Sequence, residues 1–99
     1  IIKSKVNISK ARRLRERYLL NLYNEYMTVD YELIFDIEKQ SFENKRYFYY
    51  WVDKGYIECS ESGTYNCRYR LSNEGIDYAE NRFIEIEEEL KNREVEDSE

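Results

Sequence analysis

Two alternating segments separated by turn chemistry constrain this chain most. Tyr56-Ile57-Glu58-Cys59-Ser60 and Asn66-Cys67-Arg68-Tyr69-Arg70-Leu71 flank Glu61-Ser62-Gly63-Thr64, and alternation on both sides of a glycine-containing turn predicts an antiparallel hairpin. If the hairpin is symmetric about Gly63, Ile57 faces Tyr69, Cys59 faces Cys67 and Glu58 faces Arg68. The apolar members then share one face while opposite charges pair across the other, an agreement that chance rarely gives on both faces at once.

The rest of the chain reads as helix. It holds no proline and only three glycines, so each glycine is informative. Ser9 is the expected N-cap of a first helix running to about Met27, in which Leu14, Tyr18, Leu22 and Tyr26 recur at spacing four and Leu19, Tyr23 and Met27 widen the stripe. Lys10, Arg12, Arg13, Arg15 and Arg17 crowd its first two turns, where the helix dipole disfavours cations. That placement points to a polyanion partner, with a solvated basic face as the plainer alternative. Asp30 is expected to cap a short second helix containing Leu33, Ile34 and Ile37, with a break at Lys39–Gln40. Ser41 then caps a third helix from Phe42 to Lys54, with Phe48, Trp51 and Val52 on one face and Gly55 in the left-handed position that ends a helix. Beyond the hairpin, Ser72 caps a last helix in which Ile76, Ala79, Phe83, Ile86 and Leu90 form a heptad seam of about two and a half repeats. Packing on its own domain is the plain reading of that seam. Phe83, Ile86 and Leu90 reach beyond so small a core, however, and predict a homodimer interface.

Ninety-nine residues make one domain with a modest core, 41% apolar and 37% charged. No apolar run matches a membrane span and no signal-like segment occurs, so a cytoplasmic protein is expected, its start at Ile1 rather than methionine being that of a trimmed or processed chain. A net charge of −5 argues in bulk against a nucleic-acid binder, but its distribution reverses that. Residues 1–54 carry 11 Lys and Arg against 8 Asp and Glu, whereas residues 76–99 carry 3 against 10. The excess acid is mostly a solvated tail.

The order helix, helix, helix, hairpin, helix resembles the winged helix-turn-helix superfamily. Tyr50-Trp51-Val52-Asp53-Lys54-Gly55-Tyr56-Ile57 looks like that superfamily's junction between recognition helix and wing, and Leu71-Ser72-Asn73-Glu74-Gly75 resembles the pattern that closes the wing and opens the next helix. The likeness covers roughly residues 9–90. MarR and PadR regulators are nearest in architecture, and small winged-helix proteins of archaeal viruses and plasmids are nearest in size and in their Tyr-, Glu- and Lys-rich, His-free composition. The resemblance implies an α+β, mainly α fold of three helices, a two-stranded wing and a long C-terminal helix. Residues 9–75 would form the DNA-binding domain, 76–91 a dimerisation helix and 92–99 a frayed acidic tail. It also implies sequence-specific binding of double-stranded DNA and transcription regulation as a homodimer. Two departures stand out: Asn44 occupies a usually apolar position, and the break before the third helix lacks the common turn glycine.

A DNA reader needs donors on the face opposite its core stripe. With Phe48, Trp51 and Val52 inward, Lys45, Arg46 and Tyr49 point outward together. Arg46 suits guanine O6 and N7, Lys45 a phosphate, and Tyr49 a hydroxyl contact or a sugar. Asn44 on the same helix, Arg12 and Arg13 on the first helix, and Thr64, Arg68 and Arg70 on the wing complete the expected DNA contacts. Arg70 is preferred over Arg68, which Glu58 would occupy. Eleven tyrosines invite a single-strand reading, but at helical spacing most look like rims of the core. Cys59 and Cys67 have three readings, core packing, a cross-strand disulfide or a metal site, and nothing further in the sequence supports redox sensing. Two cysteines without histidine do not complete a zinc site. No catalytic dyad can be built without histidine and no phosphate loop occurs, so no enzyme and no cofactor are expected. The competing class is a winged helix used for protein–protein contact.

Overall fold

A computed structural model describes residues 1–61 and 66–97. The first helix, α1, spans Ile8–Thr28 and starts one residue before Ser9. Asn7 is its N-cap, and the Asn7 side chain accepts from the Lys10 N–H at 3.1 Å. Leu19, Leu20 and Leu22 are its buried residues. Met27 at its end is 54% exposed, outside the core that the spacing assigned it to.

The segment expected as a second helix is a strand. β1 runs Leu33–Asp36, followed by a single 3-10 turn at Ile37–Lys39 that the Asp36 side chain caps through the Glu38 N–H. Leu33 and Phe35 are buried while Ile34 between them is exposed, the period of two that marks a half-buried strand. Tertiary partners decide the outcome, because a three-residue apolar run is compatible with either state. β1 pairs with the later hairpin, and Phe35 stacks on Phe48 with ring centres 3.8 Å apart.

Ser41 caps α2, Phe42–Asp53, accepting from the Asn44 N–H at 3.1 Å. Phe48 and Trp51 are buried, Val52 half-buried. The helix ends as expected: Gly55 adopts φ +82°, its N–H donates to the Val52 carbonyl, and the Tyr56 N–H donates to the Trp51 carbonyl. These are the two bonds of a Schellman motif.

β2 (Ile57–Glu61) and β3 (Asn66–Leu71) form the expected hairpin, but in a register two residues away from the symmetric one. Ile57 faces Leu71, Glu58 faces Arg70 and Cys59 faces Tyr69. A shift of two keeps every side chain on its face and changes only its partner. The sheet has three antiparallel strands in the order β1-β3-β2. Cys59 and Cys67, diagonal across β2 and β3 with Cα atoms 6.1 Å apart, are disulfide-bonded.

Ser72 ties the hairpin to the last helix, α3, Asn73–Asp97. Its hydroxyl donates to the Gly55 carbonyl at 2.5 Å and accepts from the Gly75 N–H at 3.1 Å. A Cβ on Gly75 would collide with the Tyr56 backbone carbonyl, so glycine is needed where α3 crosses the end of α2. The core collects Leu19, Leu22, Phe35, Phe48, Trp51, Ile57, Cys67 and Leu71. It therefore draws on both early helices and one face of the sheet. α3 packs on α1 through Tyr23, whose hydroxyl donates to Glu80 at 2.6 Å and whose ring lies 5.7 Å from Phe83. Arg82 pairs with Glu16 at 2.5 Å and with Glu85, and the Tyr78 hydroxyl donates to Glu16 at 3.0 Å.

The helix is described through Asp97. Twenty-five residues give it a length of about 37 Å, and its far half extends from the body. The radius of gyration is accordingly 16.4 Å, against about 13 Å for a compact chain of this length. Among the described residues no helix is long and apolar enough to cross a membrane.

Candidate nucleic-acid interface

Burying Phe48 and Trp51 turns the opposite side of α2 to solvent. Phe42, Arg46 and Tyr49 are exposed there, and Lys45 is half-buried at the edge of the same face. Tyr49 is braced by edge contacts to Phe35 and Phe48, with ring centres 6.2 and 5.7 Å away. The Arg46 guanidinium lies 4.2 Å from the Phe42 ring centre, a cation–π contact that holds it on the surface without neutralising it.

Asn44 does not share this face. It is half-buried and lines a recess between the helices with Arg17 and Tyr18 of α1 and Tyr47 of α2. A second recess, further along the seam, brings Arg12, Arg13, Arg15 and Glu16 against Tyr50, Trp51 and Tyr78. The Trp51 indole N–H donates to the Arg15 carbonyl at 3.0 Å, which fixes α1 against α2. Above it, the Arg15 guanidinium lies 3.9 Å from the Tyr50 ring centre and the Lys54 ammonium 5.6 Å from the same centre. The basic half of α1 thus runs beside α2. Tyr50 and Lys54 are site residues that the core stripe alone does not reveal. Their spacing of four, which puts them on one helix face, is the signal that would have found them.

Ion pairing divides the cations into two groups. Arg12, Arg13, Arg17, Lys45 and Arg46 make no ion pair among the described residues. The hairpin arginines are both occupied: Arg70 pairs with Glu58 at 2.5 Å and Arg68 with Glu32 at 3.4 Å. The expectation that Glu58 takes Arg68 and leaves Arg70 free is therefore corrected. The two-residue change of register hands Glu58 to Arg70, and the turn before β1 supplies Glu32 to Arg68. Thr64, with the rest of the turn at 62–65, lies outside the described residues.

The seam residues of α3 also divide. Ala79 is fully buried, Ile76 packs on the core, and Phe83 contacts Tyr23. Ile86 is half-buried and Leu90 is 52% exposed.

The chain matches no protein-family model, no curated protein and no solved structure.

Chemically, the α1–α2 surface offers a fixed planar fork at Arg46, a phenol at Tyr49 and several guanidiniums at the flank. Planar forks suit base edges and phosphates alike.

Proposed function

We propose that this chain is a winged helix-turn-helix domain that binds duplex DNA as a homodimer and regulates transcription. In this reading α2 enters the major groove, Arg46 and Tyr49 meet base edges or sugar, and Lys45 takes a phosphate. Arg12 and Arg13 grip the backbone beside it. The observation that carries the reading is the set of cations on and beside the exposed face of α2 without ion-pair partners among the described residues, in a chain whose net charge is −5. Two carboxylates line the same recesses, but Glu16 is taken by Arg82 and Glu43 forms no ion pair among the described residues. The element order adds support: helix, strand, 3-10 turn, helix, hairpin, helix, with the hairpin completing a β1-β3-β2 sheet. The first helix of the helix-turn-helix pair is then reduced to Ile37–Lys39.

The hairpin contributes less than the resemblance implies, because its two arginines are already paired. Dimerisation falls to the outer part of α3, where Leu90 is exposed and Ile86 half-buried. Two copies of α2 would then sit about one helical turn apart, ~34 Å. A gel-shift experiment with random duplex DNA at low salt tests the reading. The native chain should shift the duplex, and the Lys45→Ala/Arg46→Ala double variant, with unchanged circular dichroism, should not. Equal shifts by both would remove α2 as the reading element.

A second reading, docking of a protein partner, is favoured by one observation. Phe42 at the head of α2 is 67% exposed, an apolar group where a DNA contact does not need one. Under that reading Phe42→Ser removes binding and added salt barely changes it.

A further inference from the structure

A groove of about 950 Å³ lies between the end of α1, the turn into β1, and strands β2 and β3. That volume is at the upper end of the range for small-molecule sites. Its apolar lining is aromatic and sulfur-bearing, with Tyr26 and Met27 from α1, Tyr31 from the turn and Tyr69 from β3. Met27 and Tyr31 are 54% and 67% exposed, so the surface that a ligand would cover is at present turned to water. The Tyr69 hydroxyl is pushed up to about 12, by burial first and then by the neighbouring Glu25 carboxylate and Tyr31 phenol. The wall of the groove is therefore a neutral phenol in surroundings that penalise added negative charge.

Charge singles out one further group. Two guanidiniums and three carboxylates line the groove, and the pairs Arg68–Glu32 and Arg70–Glu58 account for all but one of them. The remaining carboxylate is Asp30, which has no ion pair among the described residues. A neutral apolar ligand would cover that carboxylate without compensating it, and an anion would be repelled by it. A cation with an apolar body satisfies both parts of the lining, since ring faces attract cations as well as apolar surface.

We propose that this groove binds an amphipathic organic cation, its charge beside Asp30 and its apolar body against Tyr26, Met27, Tyr31 and Tyr69. The site is independent of the DNA reading, since it uses neither α2 nor the basic half of α1.

Isothermal titration of the native chain, without DNA, with tetraphenylphosphonium and with tetraphenylborate tests it, because the two probes share a shape and differ in sign. The phosphonium should bind saturably, one per chain, and at least tenfold more tightly than the borate. Asp30→Asn should weaken phosphonium binding three- to tenfold and narrow the preference. Tyr31→Ala, at an exposed position that leaves the fold intact, should weaken it severalfold. Glu87→Gln, which removes the same charge from an exposed position on α3, should leave the dissociation constant unchanged. Equal binding of the two probes would overturn the proposal. So would a dissociation constant unmoved by Asp30→Asn and Tyr31→Ala, or one weakened as much by Glu87→Gln.

Discussion

The cations of α1 and α2 and a second set, the two hairpin arginines with Arg82 of α3, are of similar chemistry but have different surroundings. Arg68, Arg70 and Arg82 each meet a carboxylate of the same chain, from Glu32, Glu58 and Glu16. Arg12, Arg13, Arg17, Lys45 and Arg46 meet none among the described residues. A paired surface arginine stabilises its own fold by a modest amount, about 1 kcal/mol or less. A cluster without ion pairs gains none of that stabilisation and near a helix N-terminus costs the fold, so its presence is better explained by what it attracts. Charge count alone does not separate the two groups; ion pairing does.

The largest expected effect breaks the comparison directly. Lys45→Ala/Arg46→Ala should weaken duplex binding on the order of 100-fold, the combined loss of a bidentate base contact and a phosphate contact. Arg68→Ala/Arg70→Ala should change it by less than about threefold. Fluorescence anisotropy at one salt concentration measures both, and equal losses would erase the distinction between the regions.

Leu90→Asp comes next. Its side chain is outside the core, so the fold should survive while sedimentation shifts from dimer to monomer and duplex affinity falls about tenfold by loss of bivalency. Phe83→Asp would be harder to interpret, because Phe83 also contacts Tyr23 within the chain.

A smaller effect sharpens the claim that the corner between α2 and α3 is purely structural. Ser72→Ala removes a helix cap and a buried hydroxyl and should lower stability by about 1 kcal/mol in urea unfolding, with the duplex affinity of the folded chain unchanged. The smallest effect is one of pH. Folded Tyr69 keeps its proton to about pH 12, while an unfolded tyrosine releases it near 10. Its stabilisation is therefore complete below pH 10 and is lost as pH rises from 10 through 12. Tyr69→Phe should make the decline of melting temperature with pH shallower over that window.

Features written in local chemistry were legible in the sequence. Ser41 and Ser72 as caps, Gly55 as a left-handed helix end, and Phe48 and Trp51 as the buried stripe each depend on neighbours within four residues. From that stripe followed the exposure of Arg46 and Tyr49. What depends on distant partners was not legible. β1 is a strand because β3 offers it a free edge, and nothing within residues 30–40 decides between strand and helix. The hairpin register differed by two from the symmetric one, which preserved the faces and exchanged the partners, so Arg68 and Arg70 swapped expected roles. Asn44, placed among the DNA contacts by its helix alone, faces α1.

The most direct test is the salt dependence of duplex binding, followed by anisotropy from low to near-physiological salt. The account predicts affinity that falls steeply and linearly on a log–log plot, with Arg12→Ala/Arg13→Ala lowering the slope by about 2 through the loss of two phosphate contacts. No binding at low salt, or binding that salt leaves unchanged, would contradict it.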